Sequence, residues 1–126
     1  MALTREELLA PVPVVIEKVE IPELNSHVWV KGMTAAGRTR FERQFKAETE
    51  AKSNRRQQEV RERLVVACCC DESGVLLFSI EDVKALGKQS LAIVERIVLA
   101  AQKLIGLTDE DVEELAKNSE ETDEDN

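Results

Sequence analysis

The run Leu91–Ile105, LAIVERIVLAAQKLI, constrains this chain more than any other stretch. Ile93, Ile97, Ala100 and Leu104 fall in one helical row, and Val94, Val98, Ala101 and Ile105 fall in the next. Two adjacent rows make a wide apolar face, broader than a coiled-coil seam. A helix of this kind cannot stand alone in water. Each fully buried Leu or Ile is worth roughly 1.5–3 kcal/mol, so other helices or a partner must cover it. Upstream, Ser79 with Asp82 is a capping signal. Gly87 predicts a break, Ser90 a second cap and Gly106 a stop. The run is too short, and too interrupted by Glu95, Arg96 and Lys103, to span a membrane.

The rest of the chain supplies the cover. Thr4 with Glu7 predicts a capped turn over Arg5–Ala10, ended by Pro11 and Pro13. The β-branched stretch Val14–Ile21 reads as a strand, and His27–Lys31 as a second, closed by Gly32. A hairpin this short is marginal by itself and needs helices against it. Thr34 opens a helix anchored by the i,i+4 pair Phe41 and Phe45. Lys46–Glu59 lacks an apolar stripe and reads either as an exposed helical section or as a mobile connection. Apolar spacing resumes at Val60, Leu64 and Ala67 or Cys68, which predicts a helix from about Gln57 to Cys70. Asp71–Gly74 is a turn, Val75–Phe78 a short extended link, and Thr108 with Asp111 caps a last helix ending near Asn118.

These elements define a mainly α (α+β) class. A small helical domain with a short N-terminal β-hairpin occupies residues 1–119, and an acidic tail, 120–126, is expected to be disordered. Trp29 and three phenylalanines are the only aromatics, so the core is aliphatic.

The formal net charge is −8, which argues against broad nucleic-acid affinity. The charge is uneven. Lys31–Arg63 holds ten basic residues against five acidic ones, whereas Leu107–Asn126 holds ten acidic residues against Lys117. Arg38, Arg40, Arg43, Lys46, Arg55, Arg56, Arg61 and Arg63 could meet phosphates. The interleaved glutamates and the scarcity of aromatics favour a protein partner or a solvated face instead.

Catalytic signatures are missing: there is no phosphate loop, no HExxH, no GxSxG and no Cys–His pair. Neither enzymatic activity nor a cofactor is expected. Cys68, Cys69 and Cys70 are consecutive and odd in number, and on a helix they point in different directions. They read as small buried or half-buried apolar side chains in a reducing compartment rather than as metal ligands. Leu8–Ile16 lacks a basic leader and a cleavage pattern. Trp29 beside His27 reads first as core, or, if partly exposed, as an interface anchor. Met33 is a gap-filler.

Three passages carry a family likeness. They are the opening IPELN…VWVKGMT, the helix-and-turn passage Arg61–Ser90 containing DESGVLLF and SIEDVKALGK, and Ala92–Ser119. In this order they resemble the tail assembly chaperones of long, flexible-tailed bacteriophages, over roughly Leu8 to Ser119. Ile105 stands where relatives often carry asparagine.

The resemblance implies a non-enzymatic protein that holds the tape-measure protein soluble and helps bring the major tail-tube protein to it. It implies work in the host cell cytoplasm, late in infection, and absence from the finished virion. It also implies a longer frameshifted form for which the acidic end would be the junction. A structural tail-completion or connector subunit is the alternative. A broad aliphatic groove beside Leu91–Ile105 would cover the tape measure's helices, with basic residues adding orientation. The candidate partner-binding residues are therefore Trp29, Phe41, Phe45, Arg55, Arg56, Ile93, Ile97 and Leu104. Self-association is also plausible, because so much apolar helix must be covered.

Overall fold

A computed structural model of the chain describes residues 1–47 and 59–115. The Lys46–Glu59 alternatives fall largely outside the described residues, as do Arg55, Arg56 and the 120–126 tail. Helix α1, Arg5–Leu9, opens on a full capping box: the Glu7 amide donates to Thr4 Oγ1 at 3.2 Å, and the Thr4 amide to Glu7 Oε1 at 3.0 Å. Strand β1, Ile16–Ile21, runs through a 3-10 turn, Pro22–Leu24, into β2, Ser26–Lys31. The hairpin is antiparallel, with Ile16 opposite Lys31, Lys18 opposite Trp29 and Ile21 opposite Ser26. Helix α2 spans Ala35–Ala47 and starts on Thr34, whose Oγ1 accepts the Gly37 amide at 3.0 Å.

Helix α3, Val60–Cys68, ends earlier than its sequence suggests. Cys69–Cys70 leaves the helix as strand β3, giving an antiparallel sheet ordered β1-β2-β3, with Trp29 opposite Cys70 and Val30 opposite Cys69. The reason is hydrogen bonding. The edge of β2 offers partners for an extended Cys69–Cys70, and the returning chain adds more, the Leu77 amide donating to the Cys69 carbonyl at 3.1 Å and the Asp71 amide to the Val75 carbonyl at 2.9 Å. The turn between them is closed by the Asp71 carboxylate, which accepts from Ser73 Oγ, the Ser73 amide and the Val75 amide at 2.7, 2.9 and 3.0 Å. These donors, the Ser73 hydroxyl foremost, hold the Asp71 carboxyl below its ordinary range. Gly74 sits at φ +91°, where a side chain would be strained.

A 3-10 turn, Ile80–Asp82, leads into the short helix α4, Val83–Leu86, and the Ser79 amide donates to Asp82 Oδ2 at 2.8 Å as the capping signal requires. Helix α5 covers Leu91–Ile105. Ser90 stands at its start without making a side-chain capping bond; only its carbonyl serves, accepting the Val94 amide at 3.1 Å. Gly106 ends the helix in the left-handed region at φ +69°. A last helix, α6, occupies 109–115, and its Thr108–Asp111 box is closed by bonds of 3.0 and 3.1 Å.

The period of two along the strands sorts the sheet. Val19, Ile21, Val28, Val30 and Cys69 turn towards one face, where α5 lies across β1 and β2 with α3 beside it. One core results. Ile21, Val30, Phe41, Leu64, Val65 and Ala101 are among its most deeply buried members, and Leu107 and Leu115 close its end. Arg96 holds Glu23 with three bonds of 2.9–3.1 Å, tying α5 to the hairpin turn, and Arg61 pairs with Glu95 to tie α3 to α5.

Candidate partner-binding surface

The five candidate residues whose side chains are described, Trp29, Phe41, Ile93, Ile97 and Leu104, do not converge on one surface. Ile93 and Ile97 are only 8% and 6% exposed, and Phe41 is 1% exposed; all three belong to this chain's own core. The open groove expected beside Leu91–Ile105 is thus closed, because α3 and the hairpin already cover that face of α5. Leu104 is half-buried against the same core. Trp29 is half-buried on the opposite face of the sheet, as alternation with Val30 requires, and His27 meets it edge-on with ring centres 6.0 Å apart. Phe45 lies on α2, and its side chain, like Arg55 and Arg56, is outside the described residues.

The basic stretch resolves into two groups. Arg38 Nη1 donates to the Ile105 carbonyl at 3.1 Å, so this cation sits on the C-terminus of α5, where the helix dipole favours it. Arg61 is engaged with Glu95, and Arg63 with Glu59 at 3.2 Å in a nearly buried pair. Arg40 and Arg43 are exposed. Three of the five arginines of that set whose side chains are described are therefore structural.

Surface apolar residues were harder to foresee. Leu3, Leu8, Leu9 and Val12 on the N-terminal arm are 62–83% exposed. Val75, Leu76 and Leu77 are 42–63% exposed where the chain runs beside β3, and Leu99 is 57% exposed on the outward side of α5. The signal for the arm was present in Pro11 and Pro13, which stop α1 from continuing into the body. A shallow depression of about 360 Å³ runs from Leu99 to Asp109, and the half-closed bond from Gln102 Nε2 to Asp109 Oδ1, 3.0 Å, forms part of its floor.

Among the described residues, no group of three or more His, Cys, Asp or Glu side chains could hold a metal ion. Burial pushes the Cys68 thiol up to about 12 and the Cys69 thiol to about 11, far from nucleophilic readiness. Among the described residues, no helix is long and apolar enough to cross a membrane.

The fold is that of a small three-stranded antiparallel sheet with α5 packed across one face and α3 beside it. This architecture is similar to the solved structure of the bacteriophage HK97 tail assembly chaperone, at a TM-score of 0.54 and 17% identity, with 83% of this chain and 95% of that chain covered. No protein-family model matches the sequence, and no curated protein matches it.

Proposed function

We propose that this chain is a phage tail assembly chaperone that binds the tape-measure protein and keeps it soluble while the tail is built. The observation that carries the reading is the shared fold over nearly all of the HK97 chaperone, met independently by the order of sequence passages from IPELN to AKNS. A holding role also suits a surface with separate exposed apolar residues. Because Ile93 and Ile97 are used internally, the client meets the outward side of α5 around Leu99, between Arg96 and Lys103. Leu99 offers apolar contact there and Lys103 a cationic head, Arg96 being held by Glu23, a combination suited to an amphipathic helix. Recruitment of tail-tube subunits belongs to a longer frameshifted form, and the protein acts in the host cytoplasm and leaves before the virion is complete.

Co-expression with the tape-measure protein of the same phage tests this. A soluble complex of defined mass is the expected result. A tape measure that aggregates equally with and without this chain would overturn it. Finding the chain in purified particles would favour a connector or completion role instead.

A further inference from the structure

A cleft of about 340 Å³ lies beside the start of α2. Val14, Met33, Phe41 and Leu76 are among its apolar walls, and Lys31 and Arg40 stand at its rim. The fold fixes these walls in place: Phe41 is 1% exposed in the core, and Leu76 is bridged to Cys70 at the end of β3. Leu76 nevertheless stays 42% exposed, so apolar surface is left open to water. Neither cation is ion-paired with a described carboxylate.

Gly37 helps keep this space open. It is the third residue of α2 and is not among the glycines at positive φ, so the backbone does not require glycine there. Glycine also weakens a helix relative to alanine. A Cβ at this position would lie 3.2 Å from Thr34 Oγ1, 3.7 Å from Met33 Cβ and 3.8 Å from Arg40 Nη2, all in residues that line the cleft. The missing side chain is therefore room between an apolar wall and a cation.

The occupant has to be apolar and anionic within a small volume. A net charge of −8 turns polyanions away. A helix about 10 Å across is too wide. An internal acidic segment would carry its backbone over the mouth in two directions. The last residue of a polypeptide needs room for one, and its α-carbon bears both a side chain and a carboxylate.

We propose that the cleft captures the carboxyl end of a partner polypeptide whose last residue is aliphatic. Its side chain enters between Met33, Phe41 and Leu76, and its carboxylate rests against Lys31 and Arg40 in charge-assisted bonds. Apolar burial supplies the affinity, and the carboxylate selects a chain end over a chain interior. Leu99 is outside this lining, so the contact is separate from the one proposed for the client helix.

The test is fluorescence polarisation of a labelled hexapeptide, GSGSAL with a free carboxyl end, titrated with the purified full chain. Salt of about 0.15 M screens charges farther apart than about 8 Å. Saturable binding below about 1 mM is expected. The C-terminal amide of the same peptide, the free acid GSGSAG and the amidated internal segment GSELGS should each bind at least about tenfold more weakly. Lys31→Glu and Arg40→Glu, made singly, should each weaken the free-acid peptide about tenfold, and so should Gly37→Leu, which fills the cleft with a good helix former. Arg43→Glu, exposed on the same helix and outside the lining, should bind as the wild type does. Thermal melts confirm that each variant is folded, and the two rim variants carry the test should Gly37→Leu fold poorly. No saturation below about 1 mM would overturn the proposal. So would an amide or internal segment that binds as well as the free acid, or rim variants that bind like the wild type. The client is absent from the assay, so failure here leaves the chaperone reading standing.

Discussion

Cys68, Cys69 and Cys70 follow one another in sequence yet occupy three different surroundings. Cys68 ends α3 inside the core, Cys69 faces the core from the sheet, and Cys70 faces the other way beside Trp29. Desolvation removes the stabilisation of a thiolate, which pushes Cys68 up to about 12 and Cys69 to about 11 and raises Cys70 as well. Iodoacetamide at about pH 8 should therefore label the folded protein slowly and the urea-unfolded protein quickly, since an ordinary thiol titrates near 8.5. Mass spectrometry reads this directly, and fast labelling of Cys68 or Cys69 in the folded state would contradict it. Glu62 carries a second titration effect. Its partial burial, opposed by its own backbone contact and reinforced by the charge of Glu59, raises its carboxyl above the ordinary range. The folded state then holds this proton to higher pH than the unfolded state does. Between the two values the folded state binds more protons, so this contribution falls as pH rises through that window. Glu62→Gln should raise Tm by about 1–2 °C at neutral pH and leave it unchanged well below the carboxylate range. A thermal-melt series across pH checks the sign.

Helix α5 shows what a whole element needs beyond its own periodicity. Its C-terminus is closed three ways: Gly106 adopts φ +69°, the Leu107 amide returns to the Gln102 carbonyl at 2.9 Å, and Arg38 reaches the Ile105 carbonyl at 3.1 Å. A side chain at Gly106 would meet no atom within 4 Å, so the penalty for Gly106→Ala is conformational only, about 1 kcal/mol, with Gly106→Asn milder. Arg38→Met keeps the aliphatic stem and removes the cap. Urea melts should show a smaller loss for it, about 0.5–1 kcal/mol, and a loss beyond that of Gly106→Ala would mean the guanidinium does more than cap. The local half of this closure was legible in the sequence, as were the Thr4–Glu7, Ser79–Asp82 and Thr108–Asp111 caps, because each lies within one turn of chain. The hairpin was legible from its β-branched residues and the turn between them. Arg38 was not, since its partner is 67 residues away. Strand β3 was hidden for the same reason: two residues that continue a helical apolar pattern become a strand only where β2 offers its edge. Ser90 erred in the other direction, a good capping residue whose hydroxyl makes no capping bond.

At the scale of the molecule, the widest apolar face is spent on the chain's own core. The sequence shows that Ile93 and Ile97 must be covered, but periodicity does not say by what, and the candidate groove placed them in contact with a partner. In the folded chain Ile97 is 6% exposed and Leu99, two residues on along the same helix, is 57% exposed, so the first is covered from within and the second is open to a partner. Ile97→Asp deletes a core side chain and puts a carboxylate among α3 and hairpin residues, costing more than about 4 kcal/mol against a total of about 5–15 for a domain of this size. It should abolish a cooperative melt, and any loss of client binding would follow from that. Leu99→Asp changes only the outward side and should shift stability by no more than about 0.5 kcal/mol. If the client is held outside the core, Leu99→Asp should keep the native melt and lose the tape-measure protein from the co-purified complex. A Leu99→Asp chain that still carries its client at the wild-type ratio would move the contact to another exposed patch. An Ile97→Asp chain that melts normally and only then fails to bind would restore the open groove, and with it a conformation in which α5 is uncovered to receive another chain's helix.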